Sequence, residues 1–271
     1  MSTNRMTQNS IALVTGASSG IGRATASLLA EKGVRVALTA RRVERLESLA
    51  AEINAAGGTA LVLPADIREP GACEGLITQI NQTWGPVDIL VNNAGFGWGS
   101  PVAKMEWETI QAMLDVNVTA LVHLTWLVLP GMLERGQGWV VSIASIAGDI
   151  PAPPLTLYSA TKSLVQAFSE SLYREVGRQG VHVGVVNPGP IATEFGAVAY
   201  GWSLERAHHH GASPEAVARA VWRVIVHRRK RVYVPWYFRG IRWFNLLGEW
   251  LVDRGMGLFL KVGGSKRSRV K

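Results

Sequence analysis

Tyr158 and Lys162 stand four residues apart in the stretch YSATK. On a helix that spacing places both side chains on one face. An ammonium held near a phenol favours the phenolate and lowers the phenol's pKa from its ordinary value of about 10. A tyrosine tuned this way can give a proton to a ketone oxygen during reduction, or take one from an alcohol during oxidation. The pair is common by chance, and a solvated Tyr/Lys pair has the same spacing. Its surroundings carry more information. Ser145 lies thirteen residues upstream of Tyr158, just past an apolar run, and Asn117 and the NNAG segment at 92–95 follow another apolar run.

A second constellation lies near the N-terminus. Residues 15–22 read TGASSGIG, directly after the apolar run SIALVT. Gly16, Gly20 and Gly22 allow a tight turn and bring backbone close to a pyrophosphate, with Ser18, Ser19 and Ile21 completing the turn. The free N–H groups of the helix that follows suit an anion. The spacing is not the usual G-x-G-x-x-G, and an ordinary strand-to-helix turn is the plain alternative. Where a dinucleotide site specific for NAD(H) would carry an acid, about twenty residues on, this chain has ALTARR, with no acid from Val34 to Val43. Arg41 and Arg42 could instead hold a 2′-phosphate through charge-assisted hydrogen bonds. The cofactor read from these residues is NADP(H) rather than NAD(H). Two arginines on a solvated helix start is the competing reading.

The elements that must position these groups follow from apolar periodicity. Strands are expected at Ser10–Thr15, Val34–Thr39, Ala60–Pro64, Val87–Val91, Trp139–Ile143 and Val181–Val186, with an edge strand at Val232–Val234. Helices are expected at Ile21–Lys32, Val43–Ala56, Gly71–Trp84, about Met105–Arg135, Leu155–Gln179 and Pro214 to about His227. Apolar strands alternating with helices imply an α/β fold: a single doubly wound, Rossmann-type parallel sheet of about seven strands with helices on both faces. Ligands bind at the C-terminal ends of such strands, where these motifs fall. Residues 1–235 form the catalytic domain on this reading, and residues 236–271 a C-terminal extension with amphipathic helical character.

Taken in order, TGASSGIG, the Asp66 of PADI, NNAG, Asn117 in DVNV, Ser145 in SIASIAG, YSATK and NPGPIAT at 187–193 resemble the short-chain dehydrogenase/reductase family. The resemblance runs from about Ser10 to Val234 and implies hydride transfer at C4 of a nicotinamide without a metal. It makes Tyr158 the acid/base. Lys162 would lower the tyrosine's pKa and hold the nicotinamide ribose. Ser145 would bind the substrate oxygen, and Asn117 would hold a relay water. Asp66 would meet the adenine edge, with Ile67 beside it. Asn93, Ala94 and Gly95 would line the middle of the cofactor, and Pro188, Gly189, Ile191 and Thr193 its carboxamide end.

The family's substrate lid corresponds to EFGAVAYGWSLERAHHHGAS. Phe195, Tyr200 and Trp202, with Phe96, Trp98 and Pro151, could line an apolar pocket for a small hydrophobic carbonyl or alcohol, lipid-, steroid- or retinoid-like. Packing within the fold or at an oligomer contact is the alternative. His208, His209 and His210 are adjacent and lack ligand-spaced partners, which reads as a solvated segment and not a metal site.

Composition sets the remaining bounds. Hydrophobic residues make up 48% of the 271-residue chain and charged residues 18%, enough for a large core. The lone Cys73 cannot form an internal disulfide. The polar start MSTNRMTQ has no apolar leader, and Val116–Leu133, interrupted by Asn117, His123 and Pro130, reads as a core helix. The net charge is +8, yet Arg228–Lys271 holds 12 Lys/Arg against 2 Asp/Glu, so the excess is all in the tail. Basic clusters with Trp236, Tyr237, Phe238, Trp243, Phe244, Trp250 and Phe259 suit an interfacial helix on a membrane surface, or packing on the protein itself; no nucleic-acid partner is expected. A cytoplasmic enzyme, peripherally membrane-bound on the first of these readings, and a homodimer or homotetramer through the two long helices complete the expectation. The rival functions are an NAD(P)-dependent secondary-alcohol dehydrogenase and a non-catalytic cofactor-binding protein at a membrane surface.

Overall fold

The computed structural model describes residues 9–200, 211–241 and 243, without the side chains of Val198 and Tyr200. The expectations for Tyr200, Trp202, His208, His209, His210 and the extension beyond Trp243 lie outside the described residues.

Every residue of β1 (Ile11–Thr15) is buried. Ile11 and Leu13 pack on one side of the sheet, Ala12 and Val14 on the other. A strand covered on both faces has no solvent side to make polar, which explains the unbroken apolar run. The same holds for β2 (Arg35–Thr39) apart from its half-buried first residue Arg35, and for the buried strands β4 (Ile89–Asn92), β5 (Gly138–Ile143) and β6 (Val181–Pro188). With β3 (Thr59–Val62) and β7 (Arg231–Val234) at the edges, the parallel sheet runs β3-β2-β1-β4-β5-β6-β7. The chain works outward from β1 to β3, then crosses back to lay β4 on the other side of β1. That reversal opens a crevice at the carboxyl ends of β1 and β4.

Helices cover both faces. Leu29 of α1 (Gly20–Glu31), Leu46, Leu49 and Ile53 of α2 (Val43–Ala55), and Val221, Val224 and Ile225 of the later helix Pro214–His227 share one cluster. That later helix begins where Ser213 accepts a hydrogen bond from the Ala216 N–H at 3.3 Å, with Pro214 at its first position. On the opposite face lie Ile77 and Ile80 of α3 (Ala72–Thr83), Leu124, Val128 and Met132 of the long central helix, and Leu172 of the helix Thr156–Val176.

The helix expected over Met105–Arg135 is three pieces: α4 (Trp107–Leu114), a π turn at Asp115–Thr119 and α5 (Ala120–Glu134). Apolar periodicity does not register one extra residue in a turn, and Asn117 sits at that irregularity, as functional residues in π turns often do. The core-helix reading of Val116–Leu133 fits one face of α5; the other leaves Trp126 66% exposed. The remaining helices are α6 (Thr156–Val176), α7 (Phe195–Tyr200) and α8 (Pro214–His227).

After β7 a short turn at Trp236–Gly240 folds back toward the crevice. A Cβ on Gly189 would come within 2.6 Å of Phe238, and Ile241 lines the cleft itself. Trp236, Tyr237 and Trp243 remain largely exposed.

Candidate active site

The glycine turn is built by close approach. Gly16 has φ +67°, and a Cβ there would sit 2.9 Å from Asn93 Nδ2. A Cβ on Gly22 would overlap the Gly16 carbonyl oxygen. Thr15 and Asn93 stitch the crevice edges together: Thr15 Oγ1 accepts from the Asn93 and Ala94 N–H groups at 3.0 and 2.9 Å, and Asn93 Nδ2 donates to the Thr15 carbonyl at 2.7 Å. Small residues and short bonds thus bring the start of α1 against the end of β4.

Arg42 closes the outer wall of this turn. Its guanidinium donates to Ser18 Oγ at 3.1 and 3.2 Å and to Ser19 Oγ at 2.6 Å. Arg41 projects into solvent, 4.0 Å from Asp66. Asp66 is held more tightly by Arg68, at 2.6 Å, and this side-chain hydrogen bond keeps its carboxyl below the usual range. No acid stands at the end of β2, where Thr39 and Ala40 line the cleft with the two arginines. This basic rim with two hydroxyls fits a dinucleotide bearing a 2′-phosphate.

At the other end, α6 delivers Tyr158 and Lys162 to the cleft, and the end of β5 delivers Ser145. Lys162 is buried; its Nζ donates to the Ile143 carbonyl at 2.8 Å and lies 5.8 Å from the Tyr158 ring centre. Burial draws its pKa down to about 8. The Phe195 ring lies 5.3 Å from that of Tyr158. Ser145 caps a short turn, its Oγ accepting from the Ala147 N–H at 3.1 Å.

Asn117 is buried behind this group. Its Oδ1 accepts from the Phe96 N–H at 3.0 Å, and its Nδ2 donates to the Phe96 carbonyl at 2.9 Å and to Thr161 Oγ1 at 3.1 Å. Both amide hydrogens are committed, so this side chain locks the segment after NNAG onto α6. A relay water there would have the spare Oδ1 lone pair or the main chain to hold it.

One cleft of about 1110 Å³ brings the two constellations together. Gly16, Ser18, Ser19, Gly20, Ile21, Gly22, Arg41, Arg42, Asp66, Ile67, Asn93, Ala94, Gly95, Pro188, Gly189, Ile191 and Thr193 all line it, as do Ser145, Tyr158, Lys162, Phe96, Trp98 and Phe195. Pro151 does not; its neighbours Ile150 and Ala152 take that place. Sequence reasoning missed the support behind Ser145. Gln166 donates to the Ser145 carbonyl at 2.9 Å and to Asp149 at 3.3 Å, and Arg231 of β7 reaches Asp149 at 3.3 Å. Gln166 lies one turn beyond Lys162, on the face already carrying Tyr158, which was the available signal.

Comparison with known proteins agrees with this geometry. The short chain dehydrogenase family model matches residues 10–202. A short chain dehydrogenase of Pseudocercospora fijiensis is 42% identical over 193 residues, covering 70% of this chain and 62% of that protein's length. The NADP-dependent 3-hydroxy acid dehydrogenase YdfG of Escherichia coli K12 is 36% identical over 219 residues, 78% of this chain and 87% of the enzyme. Among solved structures, a short-chain dehydrogenase from Sphingobium yanoikuyae in complex with NADPH superposes with a TM-score of 0.79 at 27% identity, covering 97% of this chain and 98% of that one. The chain belongs to the short-chain dehydrogenase family. It is an oxidoreductase of that family with the family's seven-stranded parallel sheet.

Proposed function

We propose that this protein uses NADP(H) to interconvert a hydrophobic ketone or aldehyde and its alcohol. The observation that carries the reading is the meeting of Tyr158, Lys162 and Ser145 in the same cleft as the glycine turn and the arginine rim. When bound, the nicotinamide supplies or accepts the hydride. The protein's groups handle the oxygen and its proton. Tyr158 delivers the proton in reduction and removes it in oxidation. The buried Lys162 charge favours the phenolate, and the Ser145 hydroxyl steadies the substrate oxygen. Arg41 and Arg42 take the 2′-phosphate, a reading supported by the NADP dependence of the E. coli relative and the NADPH bound to the Sphingobium one.

Substrate class follows from the walls. Phe96, Trp98, Ile150, Leu155 and Phe195 present apolar surface around the phenol, which suits a steroid, retinoid or long-chain acyl group. The test is cofactor consumption, with NADPH and with NADH, on ketosteroids, retinal, fatty aldehydes and β-ketoacyl thioesters, and with 3-hydroxy acids plus NADP⁺ in the oxidising direction. Turnover is expected with NADPH and bulky apolar carbonyls. A preference for NADH would overturn the cofactor, and faster turnover of small 3-hydroxy acids would overturn the substrate class. Silence on the whole panel would favour a binding protein.

The exposed Trp236, Tyr237 and Trp243 beside the basic cluster at 228–231 support a second reading, contact with an anionic membrane surface. Co-sedimentation with phosphatidylserine vesicles is expected for the full chain and not for a chain ending at residue 235; equal binding by both would remove the extension as the anchor. Exposed Trp126 of α5 and Leu164 of α6 likewise support self-association through the long helices, read by light scattering on the same samples.

A further inference from the structure

Glu194 directly follows the NPGPIAT segment and precedes α7. Each of its carboxylate oxygens takes a different arginine: Oε2 lies 2.9 Å from Arg42 Nη1, and Oε1 lies 2.8 Å from Arg45 Nη1. Hydrogen bonds from the two guanidiniums hold its carboxyl below the ordinary range. The proton chemistry at Tyr158 does not call for this contact. Glu194 and Arg42 are 152 residues apart, so the pair fastens the chain entering α7 to the rim of the glycine turn. The first residue of α7 is Phe195, whose ring lies against Tyr158. Arg42 is therefore shared: one edge serves Ser18 and Ser19, and another serves Glu194.

We propose that Glu194 is an anion latch that competes with the cofactor's 2′-phosphate for Arg42, coupling phosphate binding to the segment that carries Phe195. The proposal rests on the NADP(H) reading. A phosphate monoester bears more charge and more acceptor oxygens than a carboxylate, so it is the stronger partner for the same guanidinium. When it is seated on Ser18, Ser19 and the Nε/Nη2 edge of Arg42, its charge faces the Glu194 carboxylate across the same guanidinium and weakens the Glu194–Arg42 pair on Nη1, while Glu194 keeps Arg45. A dinucleotide without that phosphate leaves both pairs in place. Linkage fixes the sign: the carboxylate's hold on Arg42 lowers affinity for a 2′-phosphate, and removing its charge raises that affinity.

Glu194→Gln keeps the size of the side chain and removes the charge. Calorimetric titration of the full chain with 2′,5′-ADP, NADPH and NADH reads the effect without any turnover. The pairs are partly exposed, so the gain is modest: the variant is expected to bind 2′,5′-ADP and NADPH about two- to five-fold more tightly than wild type. NADH affinity should be unchanged, which also shows that the variant is folded. The gain should shrink in high salt as screening weakens the competing pair. Weaker or unchanged 2′,5′-ADP binding in the variant would overturn the latch, because Glu194 would then be orienting the arginines or idle. A gain shared equally by NADH would overturn it as well, since the effect would not depend on the phosphate. Failure of wild type to bind 2′,5′-ADP and NADPH at all would remove the NADP(H) reading and the latch together, a result distinct from the others.

Discussion

Tyr158→Phe is expected to lower kcat for carbonyl reduction by about 10²- to 10⁴-fold, the usual worth of a positioned general acid. The substitution deletes one hydroxyl and keeps the ring, so the contact with Phe195, 5.3 Å away between centres, survives. Tyr158 is 6% exposed, and a phenyl ring fills its space. The fold should therefore hold, with thermal unfolding close to wild type. NADPH affinity, read by fluorescence titration, should stay within about two-fold, because on the proposed reading the phosphates are held by the arginine rim and glycine turn at the far end of the cleft. A loss in kcat without a loss in cofactor affinity is the signature of a group whose contribution is made in the transition state. Retention of wild-type turnover by the variant would take the phenol out of the mechanism and leave the cleft as a binding site.

Much of this arrangement is written locally in the chain. β1 reads as a strand because both of its faces are buried, and the turn after it reads as an anion cradle because its glycines admit the approach of Asn93. Tyr158 and Lys162 are found together because a helix repeats every three to four residues. What the sequence hides are contacts between distant segments. Nothing near Ser145 announces that Arg231, on the edge strand, braces Asp149 in the loop behind it. Nothing near Arg42 announces Glu194. Both partnerships exist because β6 and β7 bring the second half of the chain back beside the crevice, and a charge pattern read along the chain carries no trace of that proximity. The π turn at Asn117 is hidden for another reason: the apolar residues on either side keep a helical rhythm, and the extra residue is absorbed within it.

Lys162 joins stability to mechanism, and Lys162→Met separates them. In the unfolded chain the lysine keeps its proton to about pH 10.5; buried in the fold it gives the proton up near pH 8. Between those values the unfolded chain binds more protons, so this group's contribution to stability rises with pH through that window. Below pH 8 it is constant and unfavourable, by about 3 kcal/mol. The hydrogen bond from Nζ to the Ile143 carbonyl offsets part of this, and its loss in the methionine variant costs about 1–3 kcal/mol at any pH. The constant part cancels when two pH values are compared. From pH 7 to pH 10 wild type should gain about 2–3 kcal/mol on Lys162→Met in urea unfolding of the cofactor-free proteins. Parallel stability curves would mean that the ammonium is not desolvated. In the same experiment series, the proposed mechanism predicts that turnover by the variant falls at least as far as in Tyr158→Phe at neutral pH, where the wild-type Lys162 charge would act on the phenol's proton. Wild-type reduction should itself decline as pH passes about 8 and that charge is lost. A residue kept for stability would give a variant weaker at neutral pH and still active. The buried charge instead implies a variant whose relative stability is best at neutral pH, where its activity is lost, because the fold bears the cost of an ammonium that only the chemistry requires.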